Sequence, residues 1–152
     1  MQATKSSDKE ILLTRRFAAP RETVFAALTQ EEHLARWMMT AEMALIACDV
    51  DLRVGGKCRY VYQRPNGRKL EVHGVHESVD PPRGFAYAET YDFSPLKVHV
   101  TTTLESADGE TIFRQTLRYA SKQERDEDFA GVASSSKEAY GRLDKYLPQI
   151  EK

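Results

Sequence analysis

The sequence predicts an α+β domain in which a curved antiparallel sheet of about seven strands holds a long C-terminal helix. Three observations predict it. Between about residues 41 and 119, short segments of alternating apolar and polar residues are separated by turn signals, the pattern of neighbouring antiparallel strands. Everything after Ala120 follows helical spacing instead, and a helix from Lys122 to Leu147 would span about 39 Å. Its apolar stripe needs a broad, curled sheet to cover it. The helices are also segregated from the strands along the chain rather than alternating with them, which selects α+β over α/β.

The elements follow in order. Residues 1–9 are polar and mixed in charge and are expected to be disordered, leaving 10–150 as a single domain. Ile11 to Phe17 alternates as a first strand, with Ile11, Leu13, Arg15 and Phe17 on one face. Ala19-Pro20 ends it, and Pro20 suits the start of a helix whose stripe is Val24, Phe25 and Leu28. Thr29 with Glu32 three residues later has the form of a capping box for a second short helix carrying Leu34 and Trp37. Strands are then expected at Met43–Val50, Lys57–Arg64, Leu70–Val79, Phe85–Tyr91, Leu96–Glu105 and Thr111–Tyr119. Gly55-Gly56, Pro65-Asn66-Gly67, Asp80-Pro81-Pro82 and Ala107-Asp108-Gly109 mark the connections between them. Ser121 with Glu124 caps the long helix, whose buried stripe reads Phe129, Val132, Ser136, Ala139, Leu143 and Tyr146.

Composition limits function. The 22 basic and 23 acidic residues balance to a formal charge of −1, which gives no reason to propose the concentrated basic face of a nucleic-acid binder. No apolar run approaches the roughly 20 residues needed to cross a bilayer, and the N-terminus lacks an apolar secretion segment. No membrane insertion is therefore expected, and a cytoplasmic location is the default. Cys48 and Cys58 lack metal-type spacing and are expected as free strand thiols, although their adjacent strands leave a disulfide geometrically open. His33, His73, His76 and His99 are dispersed, and His73 and His76, three apart on a strand, face opposite sides. No metal or other cofactor is expected. No G-x-S-x-G elbow is present. Ser134-Ser135-Ser136 suits close helix packing, and Arg64, Arg68 and Lys69 suit a solvated hairpin tip.

Four segments resemble one family. The run TRRFAAPRETVFAALTQEEHLARW (Thr14–Trp37), DVDLRVGG (Asp49–Gly56), HGVHESVDPPRGFAYAET (His73–Thr90) and the Tyr146-Leu147 helix end are similar to the activator of heat-shock-protein-ATPase homologue family. That family sits within the START-related, birch-allergen-like helix-grip superfamily, also called SRPBCC. The resemblance implies a helix-grip fold with an internal cavity between sheet and helix. In the eukaryotic co-chaperone of this name the domain is the C-terminal part of a longer protein, so stimulation of a chaperone ATPase is not expected of this chain alone. The family is tryptophan-rich after the second helix, where this sequence has Met38-Met39 following Trp37.

Candidate cavity residues come from the aromatic strand faces. Tyr60 and Tyr62 share one face, Phe85, Tyr87 and Tyr91 another, and Phe113 and Gln115 a third. Phe129 and Val132 would lie opposite on the helix, and Trp37 would close one mouth. Aromatic walls with polar tips suit an apolar or amphipathic small molecule fixed by a few hydrogen bonds, although the same side chains also suit a filled core. The expected function is binding of such a ligand. The resemblance implies two alternatives: a cyclase- or aromatase-like enzyme, as some members of the superfamily are, using Gln115, Glu89, His99 or Arg15 for proton transfer, and a module that interacts with a chaperone. A homodimer is compatible with exposed strand edges.

Overall fold

The structure, a computed structural model, describes residues 1–150 of the 152-residue chain. Its strands are β1 (Gln2–Ser7), β2 (Glu10–Phe17), β3 (Ala44–Val50), β4 (Lys57–Gln63), β5 (Lys69–Asp80), β6 (Gly84–Tyr91), β7 (Ser94–Ala107) and β8 (Glu110–Arg118). The helices are α1 (Arg21–Thr29), α2 (Glu31–Trp37) and α3 (Lys122–Tyr146), with a short 3-10 turn over Leu147–Gln149. The eight strands form one antiparallel sheet in the order β1-β2-β8-β7-β6-β5-β4-β3. Curled around α3, this is the helix-grip fold, with one strand more than the sequence pattern counts.

The alternation that predicts the strands also sorts their faces. Ile11, Leu13 and Phe17 of β2, Val98, Val100, Thr102 and Leu104 of β7, and Thr111, Phe113 and Gln115 of β8 are all buried. The residues between them on β7 are exposed. The β7–β8 hairpin turns at Asp108-Gly109, both at positive φ (53° and 79°), the requirement that makes Asp-Gly a favoured two-residue turn. On the concave side, Phe17, Phe113 and Tyr140 of α3 form an aromatic knot, with centroids of Phe113 and Tyr140 4.9 Å apart and of Phe17 and Phe113 5.6 Å apart in edge contact. Ser121 caps α3 as its spacing predicts, its Oγ accepting from the Glu124 amide at 3.1 Å.

Two expectations are corrected. Residues 2–7 are not disordered: they form β1, paired to β2 through Gln2–Thr14, Ala3–Leu13 and Thr4–Leu12. The strand sits at the sheet edge with nearly all side chains exposed, so it has no apolar alternation to betray it. Its backbone ladder holds it, along with a Lys5–Asp126 ion pair at 3.1 Å and the Arg125 guanidinium donating to the Ser7 carbonyl. Thr29 does not cap α2 either. It remains the last residue of α1, where its hydroxyl donates back to the Phe25 carbonyl at 2.7 Å, and Gln30 takes the cap position without a side-chain bond. A hydroxyl satisfied inside its own helix is not free to cap the next one.

No helix among the described residues is long and apolar enough to cross a membrane. Cys48 and Cys58 are both free, and burial holds both thiols above their ordinary range, Cys48 up to about 12 with help from Glu31 and Asp49. Both therefore favour the protonated thiol over the nucleophilic thiolate at neutral pH. No metal-holding group of histidine, cysteine and carboxylate side chains occurs among the described residues.

Candidate functional site

Helix α3 faces the sheet through a row at four-residue spacing: Asp128, Val132, Ser136, Tyr140 and Asp144. Asp144 anchors one end. It accepts from Arg15 of β2, whose Nε lies 2.9 Å from its Oδ2, so the inward-facing arginine is neutralised where helix meets sheet. Tyr140 is fixed from two sides, its ring 5.4 Å from that of Trp37 and its hydroxyl donating to Gln115 Oε1 at 3.1 Å. Gln115 in turn donates to Thr102 Oγ1 at 3.0 Å. Trp37 is held by its indole N–H, which donates to the Ala27 carbonyl at 2.9 Å.

Between this row and strands β4 to β6 the packing leaves a cavity of about 270 Å³. The first four residues of the row line it, with Tyr62, Leu70, Val72, Tyr87, Glu89 and Tyr91 from the sheet and Trp37, Met38, Met39, Thr40 and Met43 from the segment after α2. Phe93, an exposed aromatic in the β6–β7 turn, stands on the rim. A second, much smaller void of about 30 Å³ adjoins it, room for one or two waters. Trp37, Met38, Tyr87, Gln115 and Tyr140 belong to both walls.

The sequence-selected residues separate accordingly. Trp37, Tyr62, Tyr87, Tyr91, Gln115 and Val132 line the larger cavity, whereas Tyr60 and Phe85 line only the small void. Phe113 is fully buried behind Tyr140. Phe129 lies under β1, with the Lys5 ammonium 5.1 Å from its ring centroid. Of the groups considered for proton transfer, Glu89 and Gln115 face the cavity; Arg15 is bound to Asp144, and His99 sits on the outer face 3.2 Å from Glu77. Among the residues missed were Asp128, Tyr140, Leu70, Val72, Leu117 and the three methionines. A filter for apolar types passes over Asp128, and Tyr140 lies off the stripe of Phe129, Val132, Ser136, Ala139, Leu143 and Tyr146, although both fall on the four-residue row through Val132 and Ser136.

Glu89 is the unusual group. Tyr91 donates to its Oε1 at 2.5 Å, which favours the carboxylate. Burial outweighs that bond, and with the negative charge of Asp128 it pushes the Glu89 carboxyl up to about 7. The folded protein therefore holds this proton more tightly than the unfolded chain. Glu89 contributes stability that is complete below about pH 4.5 and is lost as pH rises through about 7. Glu89→Gln is expected to be the more stable protein at pH 8, by on the order of 2 kcal/mol, with the difference gone by pH 4. Thermal melts across that range check it, and parallel pH profiles for the two proteins would reject it.

Comparison with known proteins places this geometry. A family profile described as Activator of Hsp90 ATPase homolog 1-like protein matches residues 18–148. The chain belongs to that family. Among solved structures, a protein from Rhodobacter sphaeroides is 30% identical, with a TM-score of 0.92 over 99% of this chain and 100% of its own. CalU16 from Micromonospora echinospora is 20% identical, with a TM-score of 0.67 over 91% of this chain and 75% of its own. DynU16, from the dynemicin biosynthetic locus, is 18% identical, with a TM-score of 0.73 over 93% of this chain and 48% of its own. The last two share the fold. No curated protein matches the sequence.

Proposed function

We propose that this member of the Activator of Hsp90 ATPase homolog 1-like family binds a small amphipathic molecule in the cavity between α3 and the sheet. The observation that carries it is the cavity itself, about 270 Å³ and walled mainly by aromatic, aliphatic and methionine side chains with few polar groups. Pockets for drug-sized ligands run from about 300 Å³ upward, so the guest is compact. A neighbour of the same fold from a biosynthetic locus, DynU16, supports a small organic guest over a macromolecular one.

Ala139, on the helix side of the cavity, provides the test. Ala139→Phe places a ring in the space, and is expected to weaken uptake of a lipophilic fluorescent dye about tenfold or more while near-ultraviolet circular dichroism stays native. A wild-type protein that takes up no dye and carries no copurified molecule in native mass spectrometry would count decisively against binding.

The catalytic alternative has one observation in its favour. Glu89, titrating near neutrality inside the cavity, has the acid strength suited to both taking and giving a proton. A copurified molecule returned unaltered after incubation with fresh protein rejects catalysis. Conversion that stops in Glu89→Gln supports it.

A further inference from the structure

The wall of the larger cavity is one-sided in charge. It contains two carboxyls, Glu89 and Asp128, and no lysine, arginine or histidine. Each carboxyl has one oxygen engaged, by Tyr91 on Glu89 Oε1 and by the Tyr119 hydroxyl on Asp128 Oδ2, both at 2.5 Å. Among the described residues no donor reaches the second oxygen of either group. Cations on β1, β2 and the first turn of α3 are committed elsewhere: Arg15 to Asp144, and Lys5, Lys122 and Arg125 to Asp126. A carboxylate facing an apolar cavity is favoured by a counter-charge, and the free oxygens of these two half-buried groups are open to a guest. The same wall presents the rings of Trp37, Tyr62, Tyr87 and Tyr140, and aromatic faces attract cations. Walls of aromatic rings with carboxylates are a fitting host for an ammonium group.

We propose that the guest is a compact apolar molecule bearing a protonated amine or quaternary ammonium, its charge at Glu89 and Asp128 and its body against Trp37, Tyr62 and Tyr140. This rests on the binding reading above and gives it a ligand class. It also couples binding to protonation. The titratable groups facing Glu89 are Tyr87 and Tyr91 on β6, Cys58, Tyr60 and Tyr62 on β4, Tyr119, and Asp128 and Tyr140 on α3. The tyrosines and the thiol are all shifted upward, chiefly by burial, so they stay neutral at pH 7. Asp128 alone shares the negative charge, and a bound cation favours ionised Glu89.

The test is calorimetric titration of the full chain with three probes of one shape: 4-phenylbutylammonium, 4-phenylbutanol and 4-phenylbutanoate. At pH 8 the ammonium is expected to bind about tenfold more tightly than the alcohol, with the carboxylate weakest. Near pH 6.5 its binding releases a proton, seen as a heat that depends on the buffer's ionisation enthalpy, whereas alcohol binding does not. In Glu89→Gln/Asp128→Asn the preference for ammonium over alcohol falls to about one. An ammonium no tighter than the alcohol, a preference that survives in the variant, or an absence of proton release in the wild type overturns the proposal. If the alcohol and the lipophilic dye bind without charge preference, the ligand class is wrong and the cavity reading stands. If neither probes nor dye bind, both fall.

Discussion

Phe113→Ala is expected to lower the unfolding free energy by about 3–5 kcal/mol, the range for removing a fully buried aromatic ring. The side chain has no solvent exposure and joins the rings of Phe17 and Tyr140 at 5.6 and 4.9 Å. Neither neighbour is free to collapse into the gap, because Tyr140 is bonded to Gln115 and packed on Trp37, and Phe17 is pinned in the β2–β8 ladder. The gap also adjoins the cavity through Tyr140. The variant should therefore lose dye affinity at temperatures where it is still folded. Urea unfolding monitored by fluorescence measures the stability change; a loss below about 1 kcal/mol would mean that the three rings do not form a cooperative unit.

Gly84→Ala is the second large effect, for the opposite reason. Gly84 opens β6 against Thr103 of β7, and a Cβ there would stand 2.2 Å from the Thr102 carbonyl oxygen and 3.3 Å from two further backbone atoms of β7. Nothing in that contact is a flexible side-chain end, so the two strands must part. Overpacking of a rigid site costs typically 1–3 kcal/mol and occasionally more, and about 3 kcal/mol is expected here. β6 also carries Phe85, Tyr87, Glu89 and Tyr91, so the displacement is transmitted to the cavity wall. Hydrogen exchange should show the added opening concentrated in the β6–β7 amides; protection unchanged there would contradict the steric account.

Much of this architecture was legible because burial enforces period. β2, β4, β7, β8 and α3 each bury one face against a common core, and their side-chain alternation or helical stripe records that. Where a segment is held by its backbone, the record is missing. β1 is an edge strand with solvated side chains, so its residues read as a polar tail, and nothing in the α3 stripe tells Phe129, which β1 covers, from Val132, which lines the cavity. The site was less legible than the fold for a related reason. Tyr60 and Tyr62 share a face of β4, but only Tyr62 reaches the larger cavity, since the sheet's curl and the bulk of Trp37 and Tyr140 divide the interior. Pairwise facing is written in a strand's alternation; the depth at which a helix and an indole interrupt the space is not. Asp128 illustrates the other gap, being a charged residue that a search for apolar lining discards.

The four-residue row on α3 ties two jobs to one rigid body. Asp128 through Tyr140 shape the binding space while Asp144, one turn further, holds Arg15 of β2. Rolling or sliding α3 to admit a bulkier guest would pull that ion pair apart, so the helix is a poor place for adaptation. The opposite rim differs: Met38, Met39 and Met43 follow α2 in a segment tied by the isolated Thr40–Met43 bridge and by the Ala41 amide donating to the Glu138 carboxylate of α3. Unbranched thioethers repack at little cost. Tolerance among guests of unequal shape therefore resides in that sulfur-rich lip, and homologues that swap it for stiffer side chains would be the narrower in choice.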